Sequence, residues 1–203
     1  MSESLTDRLD QVLPRITDPA FLSSEGIGNE IACYIFDYSA SDELQVRNHI
    51  TWMMEWLASH HQDLQVQHLD LFDVIMDYLT NRGLRDKALA MQAARGDRAV
   101  LSALEGPLAA EKIRDFIAEK HRPQEHDLLI LSGVGSAWPM LRAHSLLNCL
   151  HTVMAQTPLV MFYPGTFDGT TLSLFGRIGS GSSTAGTRPY YRAFTLVPRE
   201  TQP

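Results

Sequence analysis

Two runs constrain the fold of this chain most: Leu128-Leu129-Ile130-Leu131 and Leu159-Val160-Met161-Phe162-Tyr163. Neither alternates apolar with polar residues. A strand that is apolar on both sides must be covered on both faces. Such strands occur in parallel sheets wrapped by helices. The first run ends in Ser132-Gly133-Val134-Gly135 and the second in Pro164-Gly165, each a turn signal.

The remaining segments fit between these two. Residues 1–22 read as an N-terminal helix, with Leu5, Leu9, Val12 and Leu13 at helical spacing and Pro14 and Pro19 interrupting or ending it. Ser23–Asn29 is turn-rich and leads into an apolar strand over 31–38. Ser41 is the expected N-cap of a helix carrying Val46, Ile50, Met53, Met54 and Leu57. Residues 64–71 alternate, as a strand does. Phe72, Ile75, Met76 and Leu79 then form a helical stripe closed by Asn81-Arg82-Gly83. Residues 84–121 form a helical insertion with breaks near Gly96 and at Gly106-Pro107. A helix is expected to start near Pro139. Leu172–Phe175 is a short strand, 179–189 a flexible low-complexity loop, and Tyr190–Val197 a last strand.

Strands alternating with helices predict one α/β domain over residues 1–203. Its sheet is mainly parallel with helices on both faces, and the last two strands add an antiparallel edge. That architecture resembles a degenerate nucleotide-binding fold, Rossmann or P-loop-like.

The chemistry-bearing residues leave few function classes. The net charge is −7, which argues against a general nucleic-acid coat protein, because phosphate neutralisation needs clustered Lys and Arg. No run of 18 apolar residues suggests a membrane span, and the acidic N-terminus does not read as a secretory signal. The two cysteines, Cys33 and Cys149, read as small hydrophobes in a reducing cytosol rather than a disulfide framework. No Walker A motif, H-E-x-x-H, C-x-x-C or G-x-S-x-G occurs. Ser132 stands where a metal-binding acid would stand in a working NTPase. A nucleophile formed by Ser132 with His144 has no motif behind it.

Gly133 and Gly135 are candidates for an anion site at a helix N-terminus, set against a plain role in the strand-to-helix turn. Asp37 and Asp70 each end a strand and are candidates for a carboxylate pair in a hydrolase, set against helix capping or turn chemistry. Arg142, His144 and Asn148, with Arg177, Arg188 and Arg192, are candidates for a protein interface or phosphate contact. No residue is assigned as catalytic or metal-binding, and no cofactor is expected.

The ordered set of segments resembles the BrxB family of BREX (bacteriophage exclusion) phage-defence systems. The residues that carry it run from Ser24-Glu25-Gly26-Ile27-Gly28-Asn29-Glu30 and Tyr34-Ile35-Phe36-Asp37-Tyr38 through Leu69–Asp73. They continue in Leu131–Gly135, Trp138-Pro139, Arg142–Asn148, Phe162–Gly165, Leu174–Arg177 and Tyr190–Phe194. The set spans roughly residues 20–197. The resemblance implies a cytoplasmic defence component encoded beside a large ATPase, a DNA methyltransferase and PglZ, an alkaline-phosphatase-like protein. It carries over no catalytic residue. Residues 179–189 depart from the shorter connection expected in the family. The expectation is a non-catalytic adaptor that binds other BREX proteins, PglZ first. The alternatives are a nucleotide- or nucleic-acid-sensing subunit of the same system, or a metal-dependent hydrolase using Asp37 and Asp70.

Overall fold

The computed structural model describes residues 4–23, 33–176, 178–179 and 193–199. Residues 24–29 of the expected turn stretch at 23–29, the first residues of the expected strand over 31–38, most of the loop at 179–189, and Arg177, Arg188 and Arg192 lie outside the described residues.

The N-terminal region is three short helices rather than one: α1 (Leu5–Asp10), α2 (Val12–Ile16) and α3 (Pro19–Leu22). Ser4 opens α1 with a reciprocal capping box to Asp7. Pro19 sits at the first position of α3, with Asp18 as N-cap. Strand β1 (Cys33–Tyr38) follows. The 18-residue helix α4 (Glu43–His60) comes next and buries Val46, Ile50, Met53 and Leu57. Ser41 is not its N-cap. A 3-10 turn over Ala40–Asp42 intervenes, and Asp42 takes the cap position.

Strand β2 (Val66–Asp70) leads without a loop into α5 (Leu71–Asn81), because the Asp70 side chain caps that helix. The helical insertion resolves into α6 (Arg85–Arg95), α7 (Asp97–Leu104) and α8 (Ala110–His121), broken where Gly96 and Gly106-Pro107 indicate. Strand β3 (Leu128–Ser132) is buried throughout. Beyond it, Pro139 does not start a helix. A single turn α9 (Val134–Ala137) precedes it, and α10 (Ala143–Leu150) begins after it.

Strand β4 (Leu159–Phe167) runs through Pro164-Gly165 instead of ending there. Its extension pairs antiparallel with β5 (Leu172–Leu174), which pairs with β6 (Ile178–Gly179). A Cβ at Gly165 would meet the Ser173 carbonyl oxygen at 2.2 Å, so only glycine permits this pairing. The last strand, β7 (Ala193–Thr195), is parallel to β1 and not part of an antiparallel edge.

The main path is β2-β3-β4-β1-β7, with every neighbouring pair parallel. Two cores cover its faces. One packs α1, α2 and α4 against Phe36, Ile130 and Phe162. The other packs α5, α8, α9 and α10 against Ile35, Leu131 and Met161. The doubly covered parallel sheet of the sequence reading is therefore present.

Candidate functional site

In an open parallel sheet a ligand crevice lies at the carboxyl ends of neighbouring strands whose chains leave toward opposite faces. Here those strands are β1, which turns toward α4, and β4, whose β5 extension joins the other core. The protein's own side chains fill that place. Arg8 Nη1 donates to the Asp37 carbonyl oxygen at 2.8 Å, and Nη2 donates to Asp37 Oδ1 at 3.0 Å and to the Val197 carbonyl at 2.8 Å. Asp37 Oδ2 accepts the Phe167 amide at 3.2 Å and pairs with Arg199 Nε at 3.1 Å. Arg199 also donates to the Gly165 carbonyl at 2.9 Å. The Arg8 and Asp37 side chains are 5% and 6% exposed. This knot ties α1, β1, β4 and the C-terminal segment together.

Asp37 and Asp70 do not form a carboxylate pair. β3 and β4 lie between their strands, an offset of three strand spacings or about 14 Å. Asp70 takes the capping role. Its Oδ1 accepts the Phe72 amide at 2.9 Å and the Asp73 amide at 3.3 Å.

The anion reading of Gly133 and Gly135 gives way to packing. Gly133 has φ +69°, and a Cβ there would meet Asp70 Oδ1 at 2.2 Å. An anion at this turn would therefore face a carboxylate. A Cβ at Gly135 would press on Phe175 and Pro164 at 3.2 Å. The β1–α4 connection, where a P-loop would wrap phosphate, is Ser39-Ala40-Ser41-Asp42 followed by Glu43. It has no glycine and no lysine, and its charge is negative.

Ser132 meets His68 rather than His144. The alternation of β2 puts His68 and Asp70 on one face, and the register sets Asp70 opposite Ser132. Ser132 Oγ lies 2.8 Å from His68 Nε2 and 3.5 Å from Asp70 Oδ2. Burial lowers the His68 pKa, with Asp70 and Asp73 opposing. Among the described residues no carboxylate is hydrogen-bonded to His68 Nδ1, and Ser132 is 4% exposed. The order histidine–serine–aspartate is a polar tie between strand ends, not the serine–histidine–aspartate order of a nucleophile. Sequence reasoning missed His68; only the β2–β3 register brings it to Ser132.

Arg142 precedes α10 in extended backbone and is exposed. His144 and Asn148 are half-buried one helical turn apart, so they share a face. Burial, then the Arg142 charge, lowers the His144 pKa. The structure brings these three candidates together. Cys33 is buried in β1 and Cys149 half-buried in α10; both are free thiols, pushed up by burial to about 12 and about 11. Among the described residues no group of three or more His, Cys, Asp and Glu is placed to hold a metal ion.

An apolar groove of about 450 Å³ lies open between α5, α6, α7 and the Pro139-Met140 turn. Phe72, Met76 and Leu79 of α5 form one wall, Leu89 of α6 and Val100 and Leu101 of α7 the other. Leu71, Val74, Ile75, Tyr78 and Leu79 are the buried positions of α5. Thus Phe72, part of the helical stripe read from the sequence, is exposed in the groove, while Met76 lines the groove and also packs against the core. Phe72 is 36% and Leu89 55% exposed. Next to Pro139, Trp138 stacks edge-on against Phe175 at 6.0 Å, and both are exposed.

Comparison with known proteins gives one family. Residues 67–196 match the model described as BrxB, BREX protein BrxB. A "BREX protein BrxB" of Escherichia coli O9:H4 (strain HS) is 42% identical over 191 residues, 94% of this chain and 90% of that protein. A "BREX protein BrxB" of Bacillus cereus (strain H3081.97) is 38% identical over 195 residues, 95% of this chain and 97% of that protein. No solved structure matches the chain.

Proposed function

The chain belongs to the BrxB family of BREX proteins, and on that premise we propose that it is a non-catalytic adaptor in an anti-phage BREX system, holding other BREX proteins together, PglZ first among them. The BREX ATPase and methyltransferase are the other partners in this reading. The observation that carries it is the uncovered groove, whose apolar lining includes exposed Phe72 and Leu89. A concave pocket of this size with an apolar lining can seat anchoring side chains of a partner. The polar groups at the carboxyl end of the sheet support a non-catalytic role. Asp37 is locked between two arginines, Asp70 caps a helix, and Ser132 is buried. The reading needs no cofactor. It places the protein in the cytoplasm, where free thiols such as Cys33 and Cys149 persist. No helix among the described residues is long and apolar enough to cross a membrane.

The test is co-expression of the tagged chain with each BREX protein, followed by affinity purification and size-exclusion chromatography. A stoichiometric complex with PglZ is the expected result. A chain that elutes alone from every pairing overturns the adaptor reading. Titration with duplex DNA at about 50 mM salt, where electrostatic binding is strongest, separates the sensing alternative.

A further inference from the structure

We propose that strand β2 is a self-association edge: it pairs antiparallel with β2 of a second copy and joins two sheets into one. The inference is independent of the apolar groove and of the adaptor reading. Strand β2 ends the order β2-β3-β4-β1-β7, so one side of it has no neighbouring strand. Alternate residues of a strand send their backbone groups to opposite sides. The Gln65 carbonyl accepts the Asp127 amide at 2.9 Å, and the Gln65 amide donates to Asp127 Oδ2 at 2.8 Å. Gln65 therefore faces β3, as do Gln67 and Leu69. Val66 and His68 turn their N–H and C=O groups to the open side. Among the described residues none hydrogen-bonds to these four groups.

Sheet edges are ordinarily blunted by lysine, proline, a bulge or a covering element. Val66–Asp70 contains no lysine, proline or glycine, and it pairs with β3 residue for residue without a bulge. Val66, Gln67 and His68 are half-buried rather than sealed. Such an edge is a template for another strand.

Charge points to a second copy as that strand. The chain carries −7, so a copy approaching at random meets net like charge. Residues 64–69, Leu-Gln-Val-Gln-His-Leu, contain no Asp, Glu, Lys or Arg. A two-fold axis at Gln67 sets Val66 opposite His68 of the other copy, and His68 opposite Val66. Both pairs then exchange N–H···O bonds, and all four open groups of each copy are used. Asp70 stands opposite Leu64 and Asp63 opposite Leu71, so no like charges lie directly across from each other. The pairing is isologous and closes on itself, leaving β2 no edge for a third chain. Five residues a side make a small interface, so the dimer is reversible.

The experiment follows the full chain by amide hydrogen exchange and sedimentation over about a hundredfold range of concentration, since association obeys mass action. The Val66 and His68 amides should gain protection as dimer appears, while the Gln67 and Leu69 amides, bonded within the sheet, stay protected throughout. Gln67→Cys reads the register. Facing residues at a non-hydrogen-bonded position lie about 4.5 Å apart, within the span of a disulfide. Under oxidation Gln67→Cys should cross-link about tenfold faster than Leu44→Cys, whose 75% exposed site reports random collision. Gln67→Lys sets two like charges opposite each other and should shift the chain to monomer. Circular dichroism and melting temperature confirm folding of each variant, and the exchange measurement needs no variant. A chain that stays monomeric throughout, with unprotected Val66 and His68 amides, overturns the proposal. So does a Gln67→Cys chain that cross-links no faster than the control. Protection of the two amides that appears only when another BREX protein is added assigns the edge to a different strand and also overturns it.

Discussion

Arg8 reaches across 29 residues to donate to both the backbone carbonyl and the carboxylate of Asp37, at 2.8 and 3.0 Å. The Arg8 guanidinium also lies 4.6 Å from the centre of the Phe36 ring. Two opposite charges are thus held out of water at the carboxyl end of the central sheet. Removing one partner of a buried pair leaves the other charge uncompensated, at about 3–5 kcal/mol. Asp37→Ala should lose that much stability in urea titration at pH 7. Arg199→Ala should lose under about 1 kcal/mol, because its side chain is 40% exposed and solvent screens the pair. Equal small losses for both would show that the knot does not hold the fold.

Gly133 and Asp70 are a second coupled pair. The left-handed backbone at φ +69° costs a non-glycine residue about 1–2 kcal/mol. A Cβ also collides with the Asp70 carboxylate at 2.2 Å, which must then abandon its cap on α5. Loss of such a cap costs about 1 kcal/mol. Gly133→Ala should therefore destabilise by about 2–3 kcal/mol alone. In an Asp70→Ala background it should cost only the backbone share. A double-mutant cycle reads the difference directly, and strict additivity would refute the collision.

Much of the sheet was legible because β3 and β4 are apolar on both faces, which few other structures allow. The helical breaks at Gly96 and Gly106-Pro107 were legible for the same local reason. The α5 stripe was not. Ile75 and Leu79 are buried and Met76 packs against the core, but Phe72, one position off the buried set, is exposed in the groove. A helix with two apolar faces offers a sequence no label saying which face is covered. The Arg8–Asp37 knot was illegible since nothing local connects α1 to the end of β1. His68–Ser132 was illegible until the β2–β3 register was known. The edge assignment failed at β7, whose direction depends on the course of the intervening chain and not on its residues.

Stability should fall in mild acid, with His68 contributing. Burial, only partly offset by Asp70 and Asp73, holds its folded pKa below the ordinary 6.5. The unfolded chain therefore takes up a proton first. The contribution is fully present above pH 6.5 and is withdrawn as pH falls below that value through the folded pKa. Burial lowers His49, His121 and His144 too, with the same sign. Urea titrations between pH 7.5 and about 5 should show falling stability. His68→Gln should flatten the slope without removing it, since the other three histidines remain. A slope unchanged in the variant would mean that His68 protonates equally in both states.

Glu43 serves two neighbours, and their burial separates what each contact contributes. Tyr38 donates its hydroxyl to Glu43 Oε2 at 2.6 Å and is only 2% exposed. Arg47 Nε donates to Oε1 at 2.8 Å, but the Arg47 side chain is 44% exposed. Leaving a buried hydroxyl unsatisfied costs about 1–3 kcal/mol, whereas an exposed helical ion pair contributes under about 1 kcal/mol. Glu43→Ala should thus destabilise distinctly more than Arg47→Ala. Adding Tyr38→Phe to Glu43→Ala should recover part of the loss, because the orphaned hydroxyl is then gone. Burial and the Glu43 carboxylate both raise the Tyr38 pKa. Its phenol should consequently stay protonated in an alkaline absorbance titration until the protein unfolds, while Glu43→Ala should bring its ionisation to lower pH. An Arg47→Ala loss equal to that of Glu43→Ala would assign the stabilisation to the surface ion pair instead.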